Sequence, residues 1–99
     1  MTRKIIFTAI NELVDEFHPE LVDNNIMFKT VGIKIRYENF ETHTHAKSFE
    51  FHTNDKQIIK DTAKELIQPF LNAGRKIRLI GVRISGLKFG EKQKTLKEV

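Results

Sequence analysis

From Thr30 to Tyr37 the chain alternates strictly. Val31, Ile33, Ile35 and Tyr37 fall on one side, and Gly32, Lys34 and Arg36 on the other. A period of two, carried by branched and aromatic residues, predicts a half-buried β-strand. Glu38 to Glu41 predicts a bend, and Thr42 to Phe51 an antiparallel partner rich in threonine and phenylalanine. The facing of that partner is in conflict, because Phe49 and Phe51 share parity with His43, His45 and Lys47. A bulge or a strand end near Ser48 would reconcile them. Arg75 to Leu87 predicts a third strand. Ile80, Val82 and Ile84 share one face; Leu79, Gly81 and Arg83 share the other. Arg78 has core parity and is expected at the sheet end, its stem reaching back to water.

Two stretches follow the helical period instead. Ile6, Ile10, Leu13, Val14, Phe17 and Leu21 are spaced by three and four, which predicts a helix from Arg3 to about Phe17. Pro19 either kinks it or sits in the first turn of a short second helix. Asp23-Asn24-Asn25 is a turn signal. Thr53-Asn54-Asp55 offers N-caps for a helix carrying Ile58, Ile59, Ala63, Leu66, Ile67, Phe70 and Leu71. Pro69 should bend or shorten its last turn, and Gly74 is the expected C-cap past Asn72-Ala73. From Lys88 the chain turns polar. This predicts a folded domain over 1–87 and a flexible basic tail over 88–99.

The order helix, strand, strand, helix, strand predicts an α+β fold. Two helices pack on one face of a small antiparallel sheet, and the other face is left to solvent or a partner. Composition agrees: 99 residues, 39% hydrophobic and 30% charged, make one soluble domain. A chain of this size buries about 60–65% of its unfolded surface, enough for one core. The formal charge of +4 permits an anionic partner without demanding one. With no cysteine, disulfides, thiolate catalysis and cysteine zinc sites are excluded, and a reducing, cytoplasmic setting is compatible. No apolar run approaches the roughly 20 residues of a membrane span.

The candidate chemistry is cationic. Lys34, Arg36 and Arg83 point outward on two strands, and Gly81 beside Arg83 leaves room for a backbone to come close. Together they read as a surface for a phosphate track, with an ordinary solvated sheet face as the plain alternative. Arg75 and Lys76 would reach phosphates from the loop after the second helix, or serve equally as solubilising turn charges. His43-x-His45 has a spacing seen in metal sites, but no further ligands complete a shell, so no metal is expected. Glu12, Asp15, Glu16, Asp61 and Glu65 read as solvated helix faces rather than an acid–base pair. His18 and His52 read as surface or helix-end residues. No catalytic set is present.

Two runs carry a resemblance: Lys29-Thr30-Val31-Gly32-Ile33-Lys34-Ile35-Arg36-Tyr37-Glu38-Asn39-Phe40, and Arg75-Lys76-Ile77-Arg78-Leu79-Ile80-Gly81-Val82-Arg83-Ile84-Ser85. In this order, and with Thr42 to Phe49 between them, they resemble the little-finger domain of Y-family (DinB-type) translesion DNA polymerases over roughly residues 4 to 87. The resemblance implies a β-α-β-β-α-β domain, of which α-β-β-α-β is recognised here. The chain is therefore expected to lack a first strand, which in the family lies at a sheet edge beside the last one. An edge opened in this way is expected to pair with another chain, as in a homodimer.

The resemblance also implies a role in repair of DNA damage. The domain would grip primer–template duplex while the polymerase's catalytic core, with its magnesium, lies outside this chain; no cofactor is expected within it. His45 and Lys47 fall where the family tends to carry arginines, and are expected to join Lys34, Arg36 and Arg83 on the open face. His45 would be mostly neutral at pH 7 and a weaker contact than arginine. In the tail, Gln93-x-x-Leu96 followed by Val99 resembles the start of a sliding-clamp binding peptide, without the paired aromatics that usually end one. Two other readings stay open: a small RNA-binding or ribosome-associated protein, and a module that binds proteins by strand addition.

Overall fold

The computed structural model describes residues 3–71 and 74–89. Helix α1 spans Arg3–Asp23, strands β1 and β2 span Ile26–Tyr37 and Thr42–Thr53, helix α2 spans Lys56–Leu71, and strand β3 spans Ile77–Ser85. A two-residue strand β4, Lys88–Phe89, follows. The sheet is antiparallel with order β2-β1-β3, so β1 is central. β4 pairs with the start of β1, Ile26 opposite Phe89 and Met27 opposite Lys88. The sheet therefore continues into the first two residues expected to belong to the tail; the rest of that tail lies outside the described residues.

α1 runs unbroken through Pro19 rather than ending near Phe17. Proline removes one N–H, which costs the helix its bond to the Asp15 carbonyl, but the apolar stripe continues to buried Leu21 and holds the last turns down. The helix ends as the Asp23-Asn24-Asn25 signal predicts. Asn24 donates from its backbone and side chain to the Glu20 carbonyl at 3.1 and 2.8 Å, and Asn25 takes a left-handed φ of 57°. At the start of α2 the Asp55 carboxylate accepts the Gln57 N–H at 2.8 Å, an N-cap. α2 likewise passes through Pro69 to Leu71. Asn72 and Ala73 lie outside the described residues; Gly74 has the positive φ, 73°, expected of a residue past a helix end.

Both helices cover the same face. Ile6, Ile10 and Val14 from α1 and Ile59, Ala63, Leu66 and Ile67 from α2 meet Val31, Ile33, Ile35 and Tyr37 of β1. His18 donates from Nε2 to the Asn54 carbonyl at 2.8 Å, tying α1 to the loop before α2, so it is a brace rather than a free surface residue. Asp15 and Glu65 are also engaged. Asp15 meets Lys60 at 2.9 Å and Lys56 at 3.4 Å across the helix pair, and the Lys60 hydrogen bond leads in holding its carboxyl below the usual carboxylate range.

Two irregularities reset the strands. On β3, Leu79 pairs with Arg36 but Ile77 pairs with Tyr37, so Arg78 is an extra, bulged residue. The bulge turns Ile77 into the core, although its parity matches Leu79 and Arg83. On β2, Ser48 pairs with Thr30 and Thr53 with Phe28, so residues 49–52 loop out opposite one residue of β1. Here β1 also changes phase: Phe28 is fully buried three residues before Val31.

Glu38-Asn39-Phe40 closes the β1–β2 hairpin. Phe40 N–H bonds the Tyr37 carbonyl at 2.9 Å and Tyr37 N–H bonds the Glu41 carbonyl at 3.0 Å. This is a three-residue loop whose last member is left-handed. Phe40, with φ 68°, holds that place.

Candidate nucleic-acid interface

Directly paired residues of antiparallel strands project to the same side, so the register defines each face. On the side away from the helices, β1 presents Gly32, Lys34 and Arg36. β3 places Arg83, Gly81 and Leu79 opposite them, and β2 places Ala46, Thr44 and Thr42. The face is thus built from three cations, hydroxyls, small residues and the exposed Leu79, and no carboxylate occurs among these positions. Arg36 donates from Nε to Thr42 Oγ1 at 3.2 Å, a bond that leaves its terminal nitrogens uncommitted to Thr42. Among the described residues, Lys34, Arg36 and Arg83 enter no ion pair.

Gly32 shapes the middle of the face. A Cβ there would stand 3.3 Å from the Arg83 Cγ and 3.5 Å from the Ala46 Cβ and the His45 carbonyl. Its absence lets the Arg83 stem lie down across β1 and opens a depression of about 330 Å³ lined by Thr30, Thr44, Ala46, Arg83 and Ser85. Gly81 is less constrained, since a Cβ there meets only the Lys34 Cβ, at 3.9 Å. It leaves a clear lane beside Lys34.

His45 and Lys47 are not on this face. They pair with Ile33 and Val31, so they project toward the helices. β2 is an edge strand, and its outer polar side chains overhang α2. Lys47 binds Glu65 at 3.2 Å, and the His45 ring stands edge-on to Phe70 at 6.2 Å. The parity shared with Phe49 is real: Phe49 is half-buried on the same side as both residues, and Phe51 belongs to the bulge after Ser48. His43 is likewise drawn inward, between Tyr37 and Phe70, with its Nε2 2.9 Å from Glu41. Among the described residues no three groups assemble that would hold a metal ion.

Arg75 is also committed elsewhere. Its guanidinium lies 4.6 Å from the Tyr37 ring centre and bonds the Glu41 carboxylate. Lys76 is exposed, and its backbone carbonyl accepts the Glu38 N–H at 3.0 Å, closing the sheet end. Gln93 and Leu96 lie outside the described residues. Arg75 first and His43 second hold the Glu41 carboxyl below its ordinary 4.5. A depressed carboxyl adds stability that is present above the unfolded value and lost as pH falls through the lowered one. Glu41→Gln is therefore expected to lower the neutral plateau modestly and to flatten the loss of stability below about pH 4.5, so that variant and parent converge in acid. Urea midpoints measured from pH 3 to 7 check this; an unchanged acid limb would remove the role given to the pair.

A family model described as the impB/mucB/samB family C-terminal domain matches residues 2–96. The DNA polymerase IV of Methanoculleus marisnigri is 38% identical over 86 residues, covering 87% of this chain and 24% of that protein. DNA polymerase IV 2 of Methanosarcina mazei is 32% identical over 88 residues, covering 89% and 24%. The chain thus spans about a quarter of the length of the curated relatives it matches. Two solved structures share the fold at 19% identity. One is described as an insertion ternary complex of Dbh DNA polymerase, with a TM-score of 0.63 over 84% of this chain and 24% of that one. The other is a complex of the beta-clamp processivity factor and the little finger domain of PolIV, with a TM-score of 0.55 over 80% and 74%.

The layered fold and its relatives define the class, the little-finger domains of Y-family DNA polymerases. Within it, the chain belongs to the impB/mucB/samB family C-terminal domain.

Proposed function

We propose that this domain grips primer–template duplex through the phosphate backbone during lesion bypass, as part of a DNA polymerase whose catalytic core lies outside this chain. The observation that carries the reading is the open face, whose paired positions hold no carboxylate and carry Arg83 at the hollow by Gly32 and Lys34 and Arg36 further along β1. Cations on two adjacent strands match a line of phosphates, and hydroxyl-bearing neighbours supply neutral donors. Such contacts are independent of sequence and sensitive to salt. An RNA reader of this shape would place aromatics on the sheet face for stacking, and Tyr37 is buried on the other side.

Titrating the isotope-labelled domain with a short primer–template at two salt concentrations tests the reading. Amide shifts are expected on Gly32, Lys34, Arg36, Gly81 and Arg83, shrinking as salt rises. A silent titration at both salts would sink it.

Two further interactions follow from the same reading. The solved complex of a processivity clamp with a little finger domain of the same fold supports a clamp contact for this domain, for which Gln93 and Leu96 are the proposed residues. The outer side of β3 has no neighbouring strand among the described residues, and Phe17, Leu21, Val82 and Ile84 line an apolar hollow along it. That edge is suited to strand addition, including by a second copy. The mass of the domain across a concentration series distinguishes a monomer from such a dimer.

A further inference from the structure

Phe40 stands where a hairpin of this kind usually has glycine. The left-handed region brings Cβ against the following carbonyl, so a side chain there is strained. The ring is nevertheless 63% exposed, so burial does not explain its presence. One face of it carries the Arg78 guanidinium, 4.6 Å from the ring centre. Arg78 is the bulged residue of β3, so irregularities in two neighbouring strands converge to build this aromatic–cation pair. The pair lies at the end of the strands that carry the basic face: Leu79, next to Arg78 in sequence, pairs with Arg36, the last cation on β1.

We propose that Phe40, backed by Arg78, is a stacking platform for an unpaired base at the point where single-stranded DNA leaves the duplex held on the open face. This rests on the duplex-binding reading above. A base offers a flat π-face whatever its identity, and aromatic stacking on it is sequence-tolerant. The cation on the far side of the ring and the nearby Arg36 suit a polyanion. Docking into a dry apolar pocket of a protein would instead require Arg78 to lose its water. The left-handed residue leaves its ring exposed, accessible to a stacking base.

The test uses the full chain and three primer–templates: one blunt, one with a short unpaired extension, and one whose extension is abasic. Anisotropy titrations are expected to show that unpaired bases strengthen binding by about fivefold or more, and that the abasic extension lacks most of this gain. Phe40→Gly should lose the gain, keep its affinity for the blunt duplex and melt no lower than the parent. Phe40→Tyr should keep the gain. A gain that survives Phe40→Gly overturns the proposal, as does blunt-duplex binding that unpaired bases do not improve. A fall of several degrees in the melting temperature of Phe40→Gly would also overturn it, by showing that the ring is held for packing. Failure of the parent domain to bind any of the three removes the duplex reading, and this inference with it.

Discussion

Phe28→Ala is expected to cost the domain about 3–5 kcal/mol, the usual range for truncating a buried phenylalanine. A domain of this size has about 5–15 kcal/mol in total, so much of its stability would go with one ring. Phe28 is fully buried and sits where β1 hands over from β4 to its long pairing with β2. Its neighbours differ in kind from those of Val31 or Ile33. Its partner on β2, Thr53, directly follows the irregular stretch 49–52, so refilling the cavity would mean moving a bulge. The urea midpoint should fall with little change in slope, as for a loss of stability without a change in exposed surface. A loss below about 1 kcal/mol would mean that residues 49–52 collapse into the space, and that the phase change in β1 does not depend on this ring.

The same residue shows why part of the fold is hidden in the sequence. The alternation from Thr30 to Tyr37 specifies the central strand and its core face, and the three-and-four spacing specifies both helices, because these patterns repeat. Phe28 has the parity of Gly32 and Lys34, and Ile77 that of Leu79 and Arg83, so a strict period of two would place both on the open face. Each is returned to the core by a bulge, an interruption the period does not announce. The cationic site divides along the same line. Lys34, Arg36 and Arg83 lie in unbroken ladder and are legible. His45 and Lys47 join the open face only by resemblance, against the signal that Phe49 shares their parity. The ion pairs of Lys47 with Glu65 and Arg75 with Glu41 join residues 18 and 34 positions apart, and only the packing of α2 and the closed sheet end brings them together. Phe40 marks a third case. A large residue in a left-handed hairpin position is a local rule broken in plain view, and such breaks are where function is worth seeking.

Arg36→Ala and Arg83→Ala are each expected to lower the salt slope of duplex binding by about 0.9, the value for one phosphate no longer neutralised. Between 50 and 200 mM salt one such phosphate accounts for about a 3.5-fold change in affinity, so the double variant should lose about twelvefold of the parent's salt sensitivity. Arg83→Glu should exceed either. The Arg83 stem lies across Gly32, so a carboxylate at this position would stand over the hollow and repel the backbone that the arginine draws in. Gly32→Val gives an independent handle: a side chain 3.3 Å from the Arg83 stem would have to push it aside, weakening binding while the charge is retained. The controls lie on the opposite side of the sheet. Lys47 and His45 face α2, and Lys47→Ala, which removes a charge as Arg83→Ala does, should leave the slope unchanged. If net charge alone governed binding, Lys47→Ala and Arg83→Ala would have equal effects. If the open face is the phosphate track, only the arginine matters, and an unchanged slope in both arginine variants would place the DNA elsewhere.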